Sequence, residues 1–192
     1  MSKNKVKYNI KNVHYAPMIE EGTDTTWPTY ETPVPWPGAV SLSLEQQGSI
    51  SKFYADGIVY WQSAKNNGYE GDFESAMVPD SFREDCLGDE LSETDKVYLE
   101  KSTATGKAFA LLFEFDGDAS GVKHVLYNCT ATRPNIESTT SEDEIEPSTE
   151  TLTISAASLP NGYVKAKTGD ETTPTVASGW YEEVYTPTVA AG

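Results

Sequence analysis

Residues 129–156 read CTATRPNIESTTSEDEIEPSTETLTISA. At its two ends apolar and polar side chains alternate. Cys129 and Ala131 oppose Thr130 and Thr132; Leu152 and Ile154 oppose Thr151, Thr153 and Ser155. A period of two marks half-buried strands, apolar inward and polar outward, as found in antiparallel sheets. The middle instead holds Glu137, Glu142, Asp143, Glu144, Glu146 and Glu150, with no Lys or Arg between Arg133 and Lys165. Strands around an uncompensated acidic run predict a mainly β chain. They also leave three uses for the acids: a metal site, a catalytic pair, or a repelling surface.

The same alternation recurs elsewhere. VSLSLE (40–45) sets Val40, Leu42 and Leu44 against Ser41, Ser43 and Glu45. YEGDFESAMV (69–78) sets Tyr69, Phe73 and Met77 against Glu70, Asp72 and Glu74. HVLYNCTAT (124–132) sets Val125, Tyr127, Cys129 and Ala131 against Asn128, Thr130 and Thr132. FALLFEF (109–115) is apolar on both sides and predicts a strand covered on both faces. One short helix is expected over PDSFREDCLG (79–88), capped by Pro79 and Asp80 and stopped at Gly88.

Three stretches read as excursions: a Pro- and aromatic-rich arm over 23–38, a loop over 46–52, and a polar insertion over 89–107. The rest reads as one domain over 1–186, followed by a flexible tail over 187–192. No internal repeat is evident.

A formal net charge of −16 in 192 residues argues against tight binding to nucleic-acid phosphates or an anionic membrane surface, which needs clustered Lys and Arg. No stretch approaches the ~20 apolar residues of a membrane span. The basic start, MSKNKVKYNIKNVHY, lacks the apolar segment of a secretory signal. Cys86 and Cys129 form no metal-type spacing and are expected as buried free thiols, consistent with a reducing cytoplasm.

Several chemical motifs fail on context. DGDASG (116–121) opens like a calcium loop, but the closing Glu is replaced by Tyr127 and the flanks are strands, so a hairpin turn is expected. Asn128-Cys129-Thr130 matches a glycosylation site only by accident of a strand. His14 and His124 lack the partners of a triad or zinc site. Asp72 and Glu74 share a strand face at roughly 6–7 Å from strand rise, a spacing open to a glycosidase pair; their alternation along the whole strand fits a solvated face better. Trp27, Tyr30, Trp36 and Tyr54 fall in loops, which suits protein–protein contact and equally a carbohydrate-binding β-sandwich.

Six segments in order are similar to one family: KVKYNIKNVHYAPM, TPVPWPGAVSLSLEQQGS, FYADGIVYW, NNGYEGDFESAMVPDSFREDCLG, FALLFEFDGDASGVKHVLYNCTATRP and IEPSTETLTISA. Together they resemble the major tail proteins of long, non-contractile-tailed bacteriophages (siphoviruses) of Gram-positive hosts, from about Lys5 to about Tyr185. The insertion at 89–107 and the C-terminal tail carry least of the resemblance. It implies a tail-tube β-sandwich or barrel of antiparallel strands with one short helix and long loops. It implies hexameric rings stacked around a tape-measure protein, closed by tail terminator and distal tail proteins, assembled in the host cytoplasm and resident in the virion tail. It further implies no cofactor, no catalytic residue, no membrane, and DNA that passes through the bore without specific binding.

A bore that lets a polyanion slide needs a wall poor in cations. Glu70, Asp72, Glu74, Thr130, Thr132, Thr149, Thr151 and Thr153 are the expected lining residues. Trp27, Tyr30, Trp36, Gln46, Gln47, Ser49 and Tyr54 are the expected contacts between rings. The acidic run 141–146 is expected at a rim or in the lumen, facing water or a basic patch that includes Lys52 or Lys65. The alternative is a carbohydrate- or receptor-binding β-sandwich on a virion or cell surface.

Overall fold

Residues 6–116, 121–138, 140 and 147–187 are described by a computed structural model. The chain is mainly β, in antiparallel pairs. In order it forms β1 (Ile10–Glu20), β2 (Thr29–Tyr30), β3 (Val34–Pro35), β4 (Ala39–Gln47), β5 (Ile50–Ala55), β6 (Ile58–Ala64) and β7 (Gly68–Ser75). The short helix α1 (Asp80–Phe82) runs into a wider π turn at Arg83–Leu87. Then come β8 (Glu90–Leu91), β9 (Tyr98–Leu99), β10 (Phe109–Phe115), β11 (Lys123–Ala131), β12 (Glu150–Ala157), β13 (Lys165–Lys167) and α2 (Pro174–Ser178).

One curved sheet organises the body, in the order β2–β1–β10–β11–β12–β7–β4. β3 adds to the open side of β1, and β13 pairs the first part of β11 while β12 pairs the last. The curl brings β4 back towards β1, leaving a seam bounded by Ile10–His14 and Pro35–Ala39.

β10 explains the two-sided core. Phe109, Leu111 and Phe113 pack into the concave side with Tyr15, Trp36, Phe73, Phe82 and Ile154. Ala110 and Leu112 pack on the opposite side with Val125, Tyr127, Leu159 and Trp180. The run FALLFEF is therefore covered on both faces, as its unbroken apolarity predicts. The helical turn inserts Phe82, Cys86 and Leu87 beneath the concave side. It ends at Gly88, whose φ of 79° is left-handed and costs glycine little. Asp80 makes no side-chain cap, contrary to expectation; the turn begins at Pro79 without one. Both cysteines are buried free thiols.

The second core is closed by a segment the sequence reading left out. Thr173 precedes Pro174 at the start of α2, and a 3₁₀ turn at Gly179–Tyr181 buries Trp180 against the outer face of β10 and β11. Tyr127 donates its hydroxyl to the Tyr185 carbonyl at 3.0 Å, tying the segment down.

Four expectations are corrected. The 23–38 stretch is no extended arm: β2 and β3 pair with β1, and Trp36 is only 2% exposed. Its indole N–H donates to Ser75 Oγ at 3.0 Å, and its ring meets Tyr15, Phe73 and Phe82. Val40 points out, because the β4–β7 register slips between Ala39 and Ser41; a bulge inserts one residue and flips the side chains beyond it. A second slip, where β10 meets β11, sends Tyr127 and Cys129 into different cores. Met77 lies beyond β7 and is exposed.

Candidate functional site

C-terminal residues cover the outer side of β1, β10 and the first half of β11, whereas among the described residues none gives such cover to the outer side of β4, β7, β12 and the end of β11. The strand register arrays this bare face in rows. Thr130 lies opposite Ser155, Ser155 opposite Glu70, and Glu70 opposite Glu45. The next row runs Thr153, Asp72, Ser43, and the next Thr151, Glu74, Ser41. Thr132 extends the middle row, its hydroxyl accepting from the Thr153 backbone N–H at 3.1 Å. No Lys or Arg occurs in β4, β7 or β12.

The hydroxyls on this face hold the carboxylates in place. Thr149 Oγ1 donates to Glu74 Oε1 at 2.6 Å, and Ser41 Oγ donates to Glu74 Oε2 at 3.0 Å. These bonds, that from Thr149 foremost, hold the Glu74 carboxyl below its usual range because they favour the charged form. Thr153 Oγ1 donates to Asp72 Oδ1 at 3.0 Å. Glu45 and Glu70 stand directly opposite with like charge, an arrangement that costs stability across a strand pair.

Two unpartnered features border the face. Among the described strands the nine-residue β4 pairs only with β7, so its other edge makes no ladder and is open beyond the seam with β1 at Ala39. An edge of that length without Pro or Lys is a template for pairing with another chain. Beyond it, β5 and β6 form a hairpin joined to no other described strand. It exposes Ile50, Phe53, Tyr54, Ile58, Tyr60 and Trp61, each more than half accessible. An isolated two-stranded hairpin is marginal alone, and so much clustered apolar surface marks a contact site.

The residues singled out in the sequence are thus distributed unevenly. Glu70, Asp72, Glu74, Thr130, Thr132, Thr149, Thr151 and Thr153 come together on the one bare face. Gln46 and Ser49 are exposed at the hairpin root, Gln47 is half-buried there, and Tyr54 is exposed on β5. Trp36 belongs to the core and drops out as a ring contact. Trp27 and Tyr30 are also committed inward: Trp27 packs on Tyr127 and Tyr163, and Tyr30 donates to the Tyr127 carbonyl at 2.8 Å. Glu45, Phe53, Tyr60 and Trp61 were overlooked; the Asp56-Gly57 pair between apolar runs was the available hairpin signal.

The opening acids divide likewise. Glu150 faces the helical turn, accepting from the Val78 backbone N–H at 2.5 Å and pairing with Arg83 at 2.8 Å. Residues 141–146, with Glu142, Asp143, Glu144 and Glu146, lie outside the described residues, as does most of DGDASG. In the 89–107 insertion, β8 and β9 pair with each other, and Arg133 anchors the start by pairing with Asp89 at 2.5 Å and donating to the Leu87 carbonyl.

Among the described residues, no three or more His, Cys, Asp or Glu side chains are grouped to hold a metal ion. None of the described helices is long and apolar enough to cross a membrane. No protein-family model matches the chain, and no curated protein matches it either.

Proposed function

We propose that the chain is a structural subunit that assembles with copies of itself into a hollow tube, the tail tube of a long, non-contractile-tailed phage. The observation that carries this reading is the bare hydroxyl-and-carboxylate face bounded by an open strand edge. One chain of this size cannot close a water-filled barrel, which needs about 16–18 strands. Six copies, each contributing the four strands β4, β7, β12 and β11, exceed that number. Side-by-side pairing would occupy the β4 edge and turn the cation-free face towards the bore. There it repels duplex DNA, which carries one charge per ~1.7 Å of axis, and β4, β7 and β12 offer no cation for a phosphate to stop at. The hairpin supplies apolar contact between copies, replacing Trp27, Tyr30 and Trp36 in that role. A tape-measure protein inside the bore and terminator and distal proteins at the ends are the further partners of this reading.

Negative-stain microscopy of the concentrated protein tests it. Rings or tubes with a central hole are the expected result. Compact single particles under every nucleating condition overturn it, and sugar binding by such particles would favour the receptor-binding sandwich, whose ligand would meet the exposed aromatics of the hairpin.

A further inference from the structure

We propose that the hairpin tip of one copy seats Asp56 in a lysine-rimmed apolar cleft of a second copy. This rests on the self-assembling reading and names the surface that receives the hairpin.

The cleft opens where β4, β7, β10 and β13 end together. Leu44, Tyr69, Phe113 and Phe115 form its floor, and Lys7 and Lys165 stand at its rim, around a volume of about 250 Å³. That is below the roughly 300–1,000 Å³ of a typical small-molecule pocket, and suits the tip of a polypeptide. Lys165 Nζ lies 4.4 Å from the Tyr69 ring centroid and donates to the Tyr69 hydroxyl at 2.6 Å. Lys7 Nζ lies 5.3 Å from the Phe115 centroid. Among the described residues neither ammonium pairs with a carboxylate, in a chain with 30 acids against 14 Lys plus Arg. Two cations without a described carboxylate partner at one apolar cleft set it apart from the acidic remainder of the molecule.

The hairpin tip has the complementary chemistry. Asp56 and Gly57 both take left-handed backbone angles, φ 52° and 76°, the two-residue turn that matches strand twist. Asp56 is exposed at the apex, and Tyr54 and Ile58 beside it are 62% and 64% exposed. A carboxylate between apolar side chains meets ammonium groups above an apolar floor. The hairpin leaves the body at Gln47 and returns at Gly68, beside its own cleft. Six residues of β5 at ~3.3 Å each carry the tip about 20 Å away. The tip thus reaches a neighbour's cleft instead of its own. Tip and cleft are different surfaces, so the contact is heterologous and propagates into rings or filaments, where a self-complementary patch would stop at a dimer.

The test mixes ¹⁴N- and ¹⁵N-labelled full-length protein, assembles it, and joins touching carboxylates and amines with a zero-length carbodiimide. Mass spectrometry should find mixed-isotope links from Asp56 to Lys165 or Lys7. Asp56→Lys or Lys165→Glu should raise the concentration needed for assembly at least about tenfold, as for one desolvated interfacial charge pair; the double variant should recover much of it. Assembled particles without that link, or assembly indifferent to both reversals, overturn the docking and leave the tube reading standing. Wild-type protein that stays as single particles with no mixed-isotope links overturns both.

Discussion

Glu74 accepts two hydroxyl hydrogen bonds on an open sheet face, and that pairing sets how the face responds to acid. Its folded-state pKa lies below the ordinary 4.5, with the Thr149 bond as the largest cause and the Ser41 bond next. A depressed carboxyl contributes stability that is present above the ordinary value and lost as pH falls through the folded value. Open to solvent on one side, it contributes little to the fold; it chiefly keeps the face charged. Replacing Thr149 by Val and Ser41 by Ala should move the Glu74 midpoint upward, read from its side-chain carboxyl resonance against pH. A midpoint that stays put would show that the hydroxyls do not set the charge. Trp36 teaches the opposite lesson at the same scale. Its composition neighbours, Pro and Tyr, suggest a sticky arm, yet its N–H bond to Ser75 and its ring contacts place it at the centre of the fold.

The β5–β6 hairpin is held by its own ladder and by no other described strand, so it can be removed as a unit. Gln47 and Gly68 are already paired across β4 and β7. A two-residue Asn-Gly turn in place of residues 48–67 would close that pair directly. Thermal unfolding should shift by less than about 4 °C, the effect of roughly 1 kcal/mol in a chain of this length, while rings or tubes disappear. A larger loss of stability would make the hairpin part of the core, and persistent tubes would remove it from assembly. Legibility at this scale followed burial. β7 and β12 were plain because Phe73, Leu152 and Ile154 alternate with exposed acids and hydroxyls. The hairpin was not, because residues 53–54 and 58–61 are apolar on both faces and show no period until a partner covers one of them. Bulges at Val40 and ahead of Cys129 leave no compositional trace, since one extra residue in a strand looks like any other. The two-residue strands β2 and β3 are too short to have a period at all.

At the scale of the molecule, the described residues sort charge between two surfaces: carboxylates without cations on the bare face, and two lysines around the cleft at the strand ends. The face was legible because each strand's polar side could be read alone. The cleft was not, since Lys7, Tyr69, Phe115 and Lys165 are far apart in sequence and meet only through the sheet order. The sorting makes a prediction about transport. Among the described residues the side chains of Asp72 and Glu74 accept only from hydroxyls, at Thr153, Ser41 and Thr149, and Glu70 is exposed on β7, so changing all three to Lys should leave folding and tube formation intact. Each reversal moves the wall by two charges, and every lysine that meets a phosphate adds about −0.9 to the slope of log affinity against log salt. Particles built with the triple variant should therefore release DNA more slowly than wild type at 50 mM salt, with the difference shrinking steeply towards 200 mM, a range over which multi-phosphate contacts weaken by orders of magnitude. Dye-accessible DNA followed in time after triggered ejection gives the rate at each salt. Release that is unchanged at low salt would take these three acids out of the bore, and with them the orientation of the sheet on which the tube reading depends.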